Sequence, residues 1–163
     1  MYSFWKARKA RRAAVTAINP FVSQTRQRFG EIPDSAWSNV YVIGFMSTLI
    51  TFFAERNAGA MGASALASVQ TKAWSEITQT ESVLLGEEIC FLSTAGDRTF
   101  ELGCCNAASF FEALQIAHSG RDESLFDGAE TLAPPDIVGD ESEARLWMRY
   151  FDAYLGHVPA VDY

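Results

Sequence analysis

The chain has 163 residues, 48% of them apolar, with 12 Phe, 4 Trp and only 20% charged side chains. That length fits one domain and excludes a multidomain machine, and so large an apolar fraction excludes wholesale disorder. The net charge of −7 hides a division: residues 1–30 hold Lys6, Arg8, Lys9, Arg11, Arg12, Arg26 and Arg28 without one acid, so all 20 acids lie in the remainder. A cationic arm of this kind docks on the acidic body of its own or a second chain, lies solvated, or holds the phosphates of a lipid surface or a nucleic acid.

In chain order, residues 3–18 place Phe4, Ala7, Ala14, Val15 and Ile18 at helical intervals, with Arg8, Lys9 and Arg12 on the remaining circumference. This is the pattern of a basic amphipathic helix, with Ser3 as its cap. Asn19-Pro20 predicts a stop and a restart, followed by a short helix to about Arg28 that ends at Gly30. The opening segment has the Arg-rich, acid-free composition of an organelle transit peptide, but Pro20 and its polar neighbours interrupt the apolar run that a secretory signal requires. Ile32-Pro33-Asp34 punctuates the chain before a long helix over 35–57, with Asp34 or Ser35 as cap.

Residues 35–54 carry no charge, which is length enough to cross a bilayer. Ser35, Ser38, Asn39, Ser47, Thr48 and Thr51, and the lack of a second span, favour instead a central helix packed on nearly all sides. Its flanks would be Trp37, Tyr41 and Phe52 against Val42, Phe45, Met46, Leu49 and Phe53. Gly59 stops it, and a new helix follows with Leu66, Val69, Ala73 and Ile77 in one stripe. The small residues Ala60, Gly62, Ala63, Ala65 and Ala67 are expected to press against the long helix. Thr80 can cap a helix from Glu81 to about Thr94, although EEICFLST within it also reads as a short strand. Asp97 caps the next helix, on which Phe100, Cys104, Phe111, Leu114 and His118 align up to Gly120. Residues 120–141, rich in acids and containing Pro134-Pro135, read as an irregular loop. From Ser142 a last helix carries Leu146, Trp147, Tyr150, Phe151, Tyr154 and Leu155. The sum is an all-α, single-domain bundle of about six helices around the apolar helix 35–57, with 1–30 as a basic arm.

No set of residues assembles a recognisable chemistry. Cys90, Cys104, Cys105 and His118 are the only soft ligand set; adjacent Cys104 and Cys105 diverge by about 100° on a helix, and His118 stands four turns beyond Cys104, roughly 20 Å away. Three cysteines make an odd number, which argues against a disulfide framework and for a reducing cytoplasm. Glu87, Glu88, Asp97 and Glu112 are the acids in apolar surroundings, without a sign that two flank a substrate. The Glu-x-x-His pairs of di-iron bundles are absent, and Gly59-Ala-Met-Gly62 lacks the lysine and preceding strand of a phosphate loop.

The sequence therefore points to a non-catalytic helical protein, without cofactor or metal, that binds another polypeptide or a second copy. Its expected contact residues are Phe4, Trp5, Arg8, Lys9 and Arg12 in the basic helix and Trp147, Tyr150 and Tyr154 near the C-terminus, because aromatic and arginine side chains anchor interfaces. A peripheral membrane protein anchored on an anionic surface by residues 1–18 is the second reading. An enzyme or ligand carrier with a pocket between helices 35–57 and 97–118 is the third. Overall acidity and the lack of any zinc-finger or RNA-binding signature argue against nucleic acid.

Overall fold

The computed structural model describes residues 2–80, 85–122 and 142–155, and all regular structure among them is helical. In chain order these are α1 (Tyr2–Phe29), α2 (Asp34–Trp37), α3 (Val40–Ala58), α4 (Ala63–Thr78), α5 (Leu85–Ala95), α6 (Arg98–Asp122), α7 (Glu143–Trp147), a π-helical turn (Met148–Asp152) and α8 (Ala153–Leu155). The fold is an all-α bundle with α3 at its centre, flanked chiefly by α6 and α1, with α4 also against it. A helix that is apolar nearly all round has nowhere else to go. Tyr41 to Ser47, Leu49, Ile50, Phe53 and Ala54 are all buried. No helix of the described residues is long and apolar enough to cross a membrane.

The central helix starts later than expected, at Val40 instead of 35. Asn39 breaks the run, its side chain accepting the Tyr41 amide hydrogen at 2.9 Å, and the preceding residues form the separate short α2. The side-chain oxygen satisfies one of the orphan amides of the new first turn. The stop at Asn19-Pro20 is also corrected, since α1 runs unbroken through Pro20. Pro20 sits on the exposed side, where the Thr16 carbonyl that loses its helical donor can turn to water. Buried Ile18, Phe21 and Val22 hold the helix on the core to either side.

The small residues after Gly59 do not make the close helix contact. Ala60, Gly62, Ala63 and Ala67 are exposed, and α4 lies mainly on α1, sealing the bundle with Val69, Ala73, Trp74 and Ile77. The close contact is between α3 and α6. A Cβ placed on Gly44 would stand 2.3 Å from the Phe100 carbonyl oxygen, and one on Gly103 would stand 2.3 Å from that of Tyr41. Only hydrogen fits at either position.

Residues 85–95 form a helix and not a strand; the expected start at Glu81 lies outside the described residues. Asp97 caps α6 as its position predicts, accepting the amide hydrogens of Thr99 at 2.9 Å and Phe100 at 3.0 Å. The helix continues past Gly120 to Asp122, with Phe100, Gly103, Ala107, Phe110 and Leu114 as its buried stripe. The rest of the acidic segment expected over 120–141 lies outside the described residues. The aromatic run from Leu146 to Leu155 is helical but passes through the π turn, so one extra residue per turn shifts which side chains face inward. Phe45, Phe110, Trp147 and Phe151 meet with ring centroids 4.4–6.1 Å apart. Such pairs add about 0.5–1.5 kcal/mol each beyond their burial.

Candidate interaction site

Helix α1 turns one stripe into the bundle, namely Ala10, Ala14, Ile18, Phe21, Val22 and Thr25. Its spacing of three and four residues leaves Trp5, Lys9, Arg12 and Thr16 along the outer face. The seven cations of the arm divide into two sets. Lys6 donates to the Ala60 carbonyl at 2.6 Å, Arg11 lies 3.1 Å from Glu76, Arg26 donates to the Ile77 carbonyl at 3.1 Å, and Arg28 pairs with the buried carboxylate of Asp152. Arg8, Lys9 and Arg12 make no ion pair with a described residue. Phe4 and Trp5 stand beside them, 68% and 63% exposed. The arm thus docks on its own body, as one of the expected outcomes had it, yet keeps three cations and two rings facing outward.

Two surface grooves flank this part of α1. One, of about 330 Å³, runs between α1 and α4 and is lined by Phe4, Ala7, Arg8, Ser68, Val69 and Lys72, with Arg11 at its side. The other is wider and shallower, between α1 and the end of α3, where Lys9 and Arg12 face Phe53, Arg56 and Asn57. Lys72 and Arg56 extend the cationic face, and Arg56 also stacks over the Phe111 ring at 6.0 Å. Neither was identifiable from sequence, because each belongs to a different helix and lies more than 40 residues from Arg12 in the chain.

The C-terminal contact residues are placed differently. Trp147 is fully buried, stacked on Phe21 at 5.1 Å and on Phe151 at 4.4 Å, so it offers no surface to a partner. The expectation for this residue is corrected: its large apolar area is more stable filling the interior than facing water. Tyr150 and Tyr154 are half-buried. The Tyr154 ring stacks on Tyr41 at 3.9 Å, and the Tyr41 hydroxyl donates to the Tyr150 carbonyl while accepting from Asn106 at 2.9 Å. Burial pushes the Tyr41 phenol well above the ordinary tyrosine range, because removal from water disfavours the phenolate. The eight candidates therefore fall into two groups, the five of α1 gathered on one face and the three aromatics on the closing helix.

A buried polar cluster, missed in the sequence, fastens that closing helix to α1. Thr25 donates its hydroxyl hydrogen to Asp152 at 2.6 Å and accepts the Trp147 indole hydrogen at 2.8 Å, while Arg28 neutralises Asp152. Every polar group in it has a partner, as burial demands. The period of α1 places Thr25 on the stripe of Phe21 and Val22, which is the one sign that its hydroxyl would be buried.

The residues considered for chemistry stay apart. Cys90 and Cys105 are exposed and Cys104 is half-buried with its thiol 3.6 Å from the Gly44 carbonyl, and burial raises its pKa. His118 is held by the Leu114 carbonyl at 2.6 Å and lies 3.6 Å from Glu143. Among the described residues no group of three His, Cys, Asp or Glu is placed to hold a metal ion. Where a pocket between α3 and α6 was an alternative, the two backbones touch at Gly44 and Gly103, and Phe52 and Phe53 pack on Phe111 at 5.1 Å. Comparison of the chain with protein-family models, with curated proteins and with solved structures gives no match.

Proposed function

We propose that this protein acts by binding, without catalysis, and that the N-terminal half of α1 is its contact surface for another polypeptide or a second copy. The observation that carries the reading is the combination of Phe4 and Trp5, both exposed, with Arg8, Lys9 and Arg12, none of them paired with a described residue, in a chain whose net charge is −7. Large exposed rings beside arginine are what interfaces anchor on, and a cationic patch steers an acidic partner into place. In this reading the protein works in a reducing cytoplasm.

Size-exclusion chromatography with light scattering, at low and at high salt, tests it together with retention of partners by the immobilised chain. The expected result is a species heavier than the monomer, or a retained protein, that is lost with Trp5→Ala and weakened by salt. A strict monomer that retains nothing overturns it. A peripheral role on an anionic membrane is the second reading, favoured by the same rings and cations sharing the exposed end of an amphipathic helix. Flotation with anionic liposomes, compared with neutral ones, separates it from the first.

A further inference from the structure

The groove between α1 and α4 differs from the rest of the basic face, and the difference bears on what kind of partner it takes. Its accessible apolar lining is the exposed Phe4 at one rim and the half-buried Ala7, with Val69 enclosed beneath them. Its walls carry Arg8 from α1 and Lys72 from α4, both exposed, and the nearby acid Glu76 is engaged with Arg11. At about 330 Å³ it matches the small end of clefts that enclose a ligand, roughly 300–1,000 Å³. A flat bilayer cannot enter a recess between two helices. Neither a free phosphate nor an extended polyanion gains anything from an apolar lining, whereas a segment that carries both apolar and acidic side chains uses the lining and the cations together.

Resting on the binding role proposed above, we infer that the α1/α4 groove seats an acidic amphipathic polypeptide segment, apolar side chains on Phe4 and Ala7 and carboxylates on Arg8 and Lys72. This is helix-in-groove recognition with the charges placed along the walls. The walls then decide which segment binds, since a basic one would meet like charge on both sides.

The test uses the full chain and a fluorescein-labelled peptide of about 16 residues, leucine at every third or fourth position and glutamate between, read by fluorescence anisotropy. Binding is expected in the micromolar range and weaker at high salt. The double substitution Arg8→Glu with Lys72→Glu should weaken it at least about tenfold, as reversal of both walls turns attraction into repulsion. Ser68→Trp, which fills the groove without changing charge, should do the same, whereas Arg98→Glu at the exposed start of α6 should leave it unchanged. Circular dichroism shows that each variant keeps its helices. Failure of the peptide to bind, equal binding by the double variant and Ser68→Trp, or flotation with phosphatidylserine vesicles by a chain that ignores the peptide overturns the inference. If the chain still forms its Trp5-dependent complex when Ser68→Trp is present, the binding role stands and only the groove assignment falls.

Discussion

The two halves of α1 are built from the same kinds of residue and end in different circumstances. Toward the C-terminus, Thr25, Arg26 and Arg28 each find a partner fixed by another helix: the Asp152 carboxylate, the Ile77 carbonyl and, through Thr25, the Trp147 indole. Toward the N-terminus, Lys6 and Arg11 reach the body, but Arg8, Lys9 and Arg12 face solvent with Phe4 and Trp5. What separates the halves is what stands opposite: the closing helix brings a buried acid to the first, and two open grooves flank the second. A cation in sequence is therefore not a structural fact until the surface it faces is known.

Four variants sharpen this contrast, and chemical denaturation reads each of them. The largest effect is expected for Asp152→Ala, which removes the acceptor of the buried Thr25 hydroxyl and of the more exposed Arg28 and should cost about 3 kcal/mol, the upper end for losing hydrogen bonds to a charged group. Thr25→Val keeps the shape but leaves the Trp147 N–H and one carboxylate oxygen unsatisfied, for about 1–3 kcal/mol. Arg11→Ala breaks a partly exposed pair with Glu76 and should cost no more than about 1 kcal/mol, less in high salt. Lys9→Ala with Arg12→Ala should stay within about 0.5 kcal/mol of the parent. If the last pair proves as costly as the second, the N-terminal cations are structural and the contrast is broken.

Most of the architecture was legible because it rests on local signals. The uncharged stretch around Phe45 identified the central helix, Asp97 announced the start of α6, and Gly59 marked a stop that the structure keeps, with the chain at φ 75° there. What escaped were features decided by tertiary neighbours. Asn39 looked like one polar residue in a continuous helix, since capping and interior positions differ only in what the chain does before them. Pro20 looked like a stop, because burial of Ile18 and Phe21 against other helices is invisible to a rule about local geometry. Of the site, the sequence marked the five residues on α1 through charge and periodicity. It misplaced Trp147, because an aromatic stripe reads the same whether it lines a core or an interface, and it offered no sign of Lys72, whose relevance comes from α4 lying alongside α1.

The glycine pair at the α3/α6 crossing has a consequence for alignment. Sliding α3 by one turn along its neighbour would bring Val40 or Thr48 to the place of Gly44, and sliding α6 would bring Thr99 or Ala107 to that of Gly103. Each carries a Cβ that would collide with a carbonyl oxygen, since a Cβ at either glycine position stands only 2.3 Å from it. Two missing side chains therefore index the helices like the notch of a key, admitting one longitudinal setting and rejecting those a turn away.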